Sequence, residues 1–189
     1  PHGFPGVNVN VPNVVICGGT SSNPDSFSTI NSPTKIFTLN APGVTLRNIN
    51  FSNGGAEGPK CSVNIADSGC RVENCNFDNC RNQNGGALTA SSAATNTVID
   101  GCNFTNNQAI WTSNAGAILM NGDGSTISNC NFENNIGANG GAIFIDTAQN
   151  VNIESCNFTG NAVQESWGQG GAIVSNGAGL TIDDCNFYD

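Results

Sequence analysis

The chain has few charged residues and very few basic ones. Only 10% of its 189 residues are charged, and five Lys and Arg stand against 14 Asp and Glu, which gives a net charge of −9. Binding to nucleic acid or to an anionic membrane requires a patch of Lys and Arg, and these five are scattered along the chain. The composition therefore excludes nucleic acid as a partner and argues against an anionic membrane surface.

Long apolar runs and helix-forming runs are also missing, and the chain has a single histidine. No segment approaches the roughly 20 apolar residues that a helix needs to cross a bilayer, so we expect no membrane span. Gly and Asn are abundant and Leu is rare, which points away from a helical protein. His2 is the only histidine and lies in a leader without a strand pattern, which excludes the Ser-His and Cys-His pairs of nucleophilic catalysis.

One tripeptide, Cys-Asn-Phe, recurs along the chain and organises the rest of it. It begins at Cys75, Cys102, Cys130, Cys156 and Cys185, and Ile49 begins a variant one step earlier. Successive Phe residues are 26 to 29 residues apart, and self-similarity at such a period is typical of a solenoid. The spacing varies while the tripeptide does not, so we expect the insertions to lie in loops.

Apolar residues alternate around each Cys in two sets that are out of phase by one residue. With Cys as position 0, positions −5 and −3 form one set and positions 0 and +2 the other. Side chains alternate between the two faces of a strand, so the two sets belong to two strands joined by a corner at position −1. Most residues there tolerate a left-handed backbone. They are Asn48, Asn74, Gly101, Asn129, Ser155 and Asp184.

A third strand follows each Phe after a loop, and it is preceded by pairs such as Gly85 and Gly86. Three short strands and three turns per coil predict an all-β parallel β-helix, a solenoid of about six to seven coils, over residues 44–189. Residues 1–43 are expected to supply an N-terminal strand at 7–11, a loop at 18–33 and a first, capping coil. The predicted core ladder consists of Phe51, Phe77, Phe104, Phe132, Phe158, Phe187, Cys75, Cys102, Cys130, Cys156 and Cys185.

Two further motifs alternate along the repeats. FxxN occurs at residues 104–107, 132–135 and 158–161, and GGA followed by Leu or Ile occurs at residues 85–88, 140–143 and 170–173. Their pairing resembles the repeat of chlamydial polymorphic membrane proteins and related adhesin-like surface proteins. The resemblance implies a right-handed β-helix and a role in adhesion or scaffolding at a cell surface.

The nine cysteines fall into three groups. The five ladder thiols face the core, where stacked neighbours are about 4.8 Å apart and a disulfide needs about 3.5 to 4.5 Å between Cβ atoms, so we expect them reduced. Cys61 and Cys80 lie in the loops after Phe of successive coils, and we predict a disulfide between them. Cys17 and Cys70 receive no assignment.

The outward position −2 carries an acidic stripe, which we interpret as a solvated face. A glycosidase needs carboxylates that converge on a sugar, and a lyase needs a cation site and a base, and the stripe has neither signature. We expect no enzyme activity and no cofactor, and at most weak Ca²⁺ binding along the stripe or at Asp123. The stripe consists of Arg47, Glu73, Asp100, Ser128, Glu154 and Asp183.

Every second coil carries a glycosylation sequon on an outward asparagine, at Asn50, Asn103 and Asn157. We expect glycans there if the protein passes through a glycosylating secretory route; otherwise the Ser or Thr at that position is coincidental. Trp111 and Trp167 lie in long loops of the same coils. They either pack against their own loops or contact a carbohydrate or a protein partner.

No cap is recognisable after the last Cys-Asn-Phe, and the strand at residues 7–11 looks free. This leaves two interpretations: a piece of a longer rod, or subunits that stack head to tail into a filament. With low charge, Asn-rich loops and nine cysteines, an extracellular or cell-surface location is expected. The sequence thus predicts a structural protein, a subunit of a filament or adhesive stalk with itself as partner. The alternative is a carbohydrate-binding or polysaccharide-degrading β-helix protein.

Overall fold

The computed structural model describes residues 6–19, 23, 25–31, 36–52, 63–110 and 113–189. Over these residues the chain winds as an all-β parallel solenoid, as the sequence predicts. Three main sheets of seven strands each form its walls, and a fourth sheet has four short strands. The described part of the chain has no helix that is long and apolar enough to cross a membrane.

Each main sheet takes one strand from every coil. Sheet 1 contains Val7–Val9, Phe37–Leu39, Val63–Ile65, Leu88–Ala90, Ile118–Met120, Ile143–Ile145 and Ile173–Ser175. Sheet 2 contains Val15–Cys17, Thr45–Arg47, Arg71–Glu73, Val98–Asp100, Thr126–Ser128, Asn152–Glu154 and Thr181–Asp183. Sheet 3 contains Ser28–Asn31, Ile49–Ser52, Asn76–Asp78, Asn103–Thr105, Asn131–Glu133, Asn157–Thr159 and Asn186–Tyr188.

Two features of the strands differ from the sequence prediction. The loop expected at residues 18–33 contains the strand Ser28–Asn31, which pairs in parallel with Ile49–Ser52. The loops after Phe contain a further two-residue strand in four coils, and these strands form sheet 4. They are Arg81–Asn82, Gln108–Ala109, Ile136–Gly137 and Ala162–Val163.

Equivalent residues of successive coils lie side by side. In sheet 2, Ile99 pairs with Val72 on one side and Ile127 on the other. In sheet 3, Phe104 is likewise paired with Phe77 and Phe132. This register holds although the repeat length varies, because the extra residues are accommodated between strands.

Left-handed residues form the corners. All six residues at position −1 have positive φ, from 48° at Asn74 to 62° at Gly101, as predicted. A second corner, which the sequence analysis did not identify, lies at position +4 and has φ between 53° and 58° at Asn79, Asn106, Asn134 and Gly160. Each such corner changes which alternate residues face the core, so apolar positions point inward on both sides of the bend.

The core contains one continuous stack of phenylalanine rings. From Phe51 to Phe187 the ring centroids of neighbours are 4.6 to 4.9 Å apart and their planes are within 11° of parallel. This spacing falls in the range of about 4.5 to 7 Å that is typical of favourable aromatic pairs. Phe51, Phe77 and Phe104 are completely buried, and burial of each such side chain contributes roughly 1.5 to 3 kcal/mol.

The GGA motif has a steric cause. A Cβ atom on Gly86 would lie 1.9 Å from the carbonyl oxygen of Gly116, and one on Gly141 would lie 1.8 Å from that of Gly171. Backbones of neighbouring coils approach too closely at this position for any side chain. The same segment packs Ala115 against the outward residues Leu119 and Phe144 of sheet 1, which are only 8% and 5% exposed.

Candidate functional site

A ladder of asparagine side chains runs along the outer face of sheet 3. Five of these asparagines follow the ladder cysteines and Asn50 follows Ile49. From Asn76 onward, the Nδ2 group of each donates a hydrogen bond to Oδ1 of its counterpart in the preceding coil. The five bonds, 2.7 to 3.0 Å long, join Asn50, Asn76, Asn103, Asn131, Asn157 and Asn186 in that order. The ladder is thus unbroken over six coils.

Beside this ladder lies a shallow concavity of about 460 Å³. Its second row of side chains consists of Asp78, Thr105, Glu133 and Thr159, which pair with one another in register and alternate between carboxylate and hydroxyl. No Lys or Arg is among the residues that line it. We call this surface the sheet 3 groove. Only the sequons of this surface were predicted from the sequence, although the alternation of the neighbouring residues is visible in the repeat.

A second asparagine ladder, which the sequence analysis missed, lies inside the coil at the last position of FxxN. Asn107 and Asn135 are completely buried. The Nδ2 group of Asn135 donates to the carbonyl oxygen of Phe104 and to Oδ1 of Asn161, both at 2.9 Å. Its Oδ1 accepts from the backbone N–H and the Nδ2 group of Asn107, at 3.0 and 2.9 Å. Every hydrogen-bonding group of this amide is used, which satisfies backbone groups at the corner.

Cys80 occupies the position of these asparagines in its own coil. Its backbone N–H donates to Oδ1 of Asn107 at 2.9 Å, which continues the ladder by one step. Cys80 is disulfide-bonded. Its predicted partner, Cys61, lies outside the described residues, so the pairing stays a prediction.

The ladder cysteines are free thiols, as expected. The backbone N–H of Cys75 donates to Sγ of Cys102 at 3.4 Å, and the same contact recurs in each following coil. Burial raises the pKa of the Cys102 thiol well above its ordinary value, which keeps it protonated and unreactive. Burial likewise raises the pKa of Cys70. Cys17 is a free, exposed thiol.

Three carboxylates of the acidic stripe, those of Glu73, Asp100 and Glu154, contact neighbouring side chains. Hydrogen bonds from Asn129 Nδ2 at 2.8 Å and from Ser128 Oγ at 2.7 Å hold the pKa of Asp100 below its ordinary value. Glu73 pairs with Arg71, and these contacts are structural. Among the described residues, no three His, Cys, Asp or Glu side chains are placed to hold a metal ion. At Asp123, Oδ1 accepts the backbone N–H of Gln149 at 2.8 Å.

The sequon asparagines all belong to the outer ladder. Asn103 and Asn157 are exposed, whereas Asn50 is half-buried. Asn103 donates to one neighbour and accepts from the other, in opposite directions, so the N–H that it uses is the one opposite its carbonyl oxygen. N-glycosylation replaces the other hydrogen of Nδ2 and is therefore compatible with the ladder. Glycosylation at Asn50, Asn103 and Asn157 stays a prediction.

One of the two tryptophans is described. Trp167 is 56% exposed, and nearby Gln164 accepts a hydrogen bond of 3.3 Å from Gln108, two coils away. Trp111 lies outside the described residues. The exposure of Trp167 does not agree with complete packing against its own loop and leaves the predicted partner contact open.

The last coil exposes side chains whose counterparts are buried elsewhere. Ile182 is 44% and Phe187 52% exposed, although Phe187 still stacks on Phe158 at 4.9 Å. Next to Phe187 on the strand, Tyr188 is 61% exposed. This end therefore presents an apolar surface and three strands that pair on one side only.

Comparison with known proteins supports the fold. Residues 116–189 match the family model described as "Right handed beta helix region". No curated protein and no solved structure matches the chain. The match and the solenoid architecture together support a right-handed β-helix repeat, the fold that the repeat analysis and the family resemblance predict.

Proposed function

We propose that this chain is a structural rod in a secreted or surface-displayed protein, and that it positions binding surfaces without catalysing a reaction. The observation that carries the proposal is the continuity of the two asparagine ladders. Asparagine side chains such as Asn103 and Asn135 bond to their own counterparts in neighbouring coils, which supports a role in holding a rod together. The β-helix fold itself is compatible with both surface proteins and polysaccharide-related proteins.

The surface location rests on the pairing of the FxxN and GGA motifs. These motifs have structural causes in this chain, namely the inner ladder and the close approach of coils at Gly86 and Gly141. Their combination resembles chlamydial polymorphic membrane proteins and related adhesin-like proteins. The resemblance supports display at a cell surface and a role in adhesion or scaffolding.

Stacking of further coils at the exposed end is part of the proposal. The exposed Ile182 and Phe187 and the strands beside them match a coil of the same register. This surface is covered either by further coils of the same protein or by a second copy of the chain. The second arrangement gives a head-to-tail filament. Sedimentation over a range of concentrations separates the two: growing species support the filament, and a monomer at all concentrations contradicts it.

Release of products from a polysaccharide distinguishes the structural rod from the alternative, a polysaccharide-degrading enzyme. The purified chain is incubated with neutral and acidic polysaccharides, and reducing ends and unsaturated products are measured. We expect neither above the level of heat-denatured protein. Release of either product contradicts a purely structural role. Surface display is tested separately by immunogold labelling of cells, and labelling confined to the cytoplasm contradicts it.

A further inference from the structure

The sheet 3 groove repeats with two different periods. The asparagine ladder presents one amide per coil, and the row beside it alternates carboxylate and hydroxyl, so that Asp78 and Glu133 recur every second coil. The coil spacing is given by the phenylalanine rings beneath, which are 4.8 to 4.9 Å apart. The groove is therefore a linear array with a short period of one coil and a longer period of two.

Each ladder amide keeps hydrogen-bonding capacity for a ligand. An Asn side chain has two N–H donors and two acceptor lone pairs. Asn131 uses one N–H toward Asn103 and one lone pair toward Asn157, both at 2.9 Å. One donor and one acceptor remain, and Asn131 is exposed. A sugar hydroxyl, which donates and accepts at once, matches this pair.

We propose that the groove binds an extended β-1,4-linked polysaccharide of neutral or amino sugars that lies along the rod axis with one sugar per coil. The coil spacing is close to the length that one hexose adds to such a chain. Alternate sugars of the chain face opposite ways, so its chemistry repeats every second residue, as the row of Asp78, Thr105, Glu133 and Thr159 does. An extended peptide advances only about 3.3 Å per residue and loses this register.

The negative charge of the groove determines which polysaccharides it can bind. The groove contains Asp78 and Glu133 and no basic residue, and the whole chain has a net charge of −9. Uronic acid or sulfated chains are therefore repelled, whereas a protonated amino sugar pairs with the carboxylates. Tyr188, which is 61% exposed and pairs with Thr159, provides a ring at the end of the same row for contact with a sugar face. This binding goes beyond the proposed rod, and its failure leaves the rod intact.

The test is calorimetric titration of the purified chain with β-1,4-linked glucose oligomers from dimer to hexamer, with the matching glucosamine oligomers, and with galacturonate oligomers as the acidic probe. The groove is lined by asparagines of four coils, Asn76, Asn103, Asn131 and Asn157. We expect affinity to rise up to the tetramer and then level off, with glucosamine bound more tightly than glucose and galacturonate not bound. Absence of binding to every probe, or affinity independent of length, overturns the proposal.

Matched variants locate the site. Thr105→Lys places a long cationic side chain in the groove, and Thr126→Lys makes the same change on the outer face of sheet 2. Thr105→Lys is expected to weaken glucose-oligomer binding about tenfold or more, equivalent to one lost hydrogen-bonding group, and Thr126→Lys to leave it unchanged. Glu133→Gln is expected to reduce the preference for glucosamine. Binding in the groove is the alternative to glycosylation at Asn103 and Asn157, because a glycan on either asparagine fills the groove. Native protein that carries such glycans therefore contradicts the proposal, and so do equal losses in both Lys variants.

Discussion

Removal of the buried amide of Asn135 tests the inner ladder. In Asn135→Ala four hydrogen bonds are lost, and the backbone N–H of Asn107 and the carbonyl oxygen of Phe104 lose a partner in a site without exposed surface. A buried polar group left without a partner costs about 1 to 3 kcal/mol. We therefore expect the free energy of unfolding to fall by about 3 to 5 kcal/mol, more than most single substitutions cost.

Asn131→Ala is the matched control for this prediction. Asn131 lies in the same coil, on the outside, and also bonds to its counterparts in two neighbouring coils. Because it is exposed, water replaces the lost bonds, and the expected cost is below about 1 kcal/mol. Urea unfolding followed by circular dichroism measures both variants. Equal losses in the two, or a loss below about 1 kcal/mol in Asn135→Ala, refute the reasoning.

Three further predictions address the core, a corner and the acidic stripe. Phe132→Ala opens a gap in the ring stack and should cost about 3 to 5 kcal/mol in urea unfolding, whereas Phe132→Leu should cost clearly less; similar losses contradict the stack. Asn129 has a φ of 53°, so Asn129→Gly should be tolerated while Asn129→Val lowers stability by about 1 to 3 kcal/mol, and equal melting temperatures contradict the left-handed corner. Because the folded pKa of Asp100 is lowered, its contribution is present above the unfolded pKa of about 4 and is lost as pH falls through the folded value. Melting temperature should consequently fall less on acidification in Asp100→Asn than in the parent chain, and parallel profiles exclude this contribution.

The sequence allowed the columns of the core to be predicted because inward positions are constrained in every coil. Phe104 and Ile99 recur at fixed distances from Cys, and a polar, turn-forming residue at position −1 marks where the phase of alternation changes. Those two signals were sufficient for the strands of sheets 2 and 3 within residues 44–189, their register and the left-handed backbone at the corner. Local chemistry repeated along the chain thus determined the architecture.

The inner ladder was missed because an asparagine in a loop motif suggests a solvated turn. Asn106 and Asn134 are left-handed, and each turns the following asparagine inward. The rule applied at position −1 predicts the same change of phase at position +4. The strands of sheet 4 have two residues each, too few for any alternation to show. The strand Ser28–Asn31 lacks the Cys-Asn-Phe tripeptide and was not predicted for that reason.

The sheet 3 groove depends on distances between coils, which a single repeat does not contain. The alternation of Asp78, Thr105 and Glu133 becomes a surface only once register places these residues beside one another. Spacing along the chain identified the sequons in that row but not the concavity that they share.

The central claim is that the buried asparagine side chains of the inner ladder bond coil to coil and hold the rod together. It is tested most directly by hydrogen exchange of the asparagine side-chain amides, measured by NMR. The account predicts that the Nδ2 protons of Asn107 and Asn135 exchange as slowly as core backbone amides, and far more slowly than those of the exposed Asn131. Exchange of the Asn107 and Asn135 side-chain amides at the rate of exposed asparagines contradicts it.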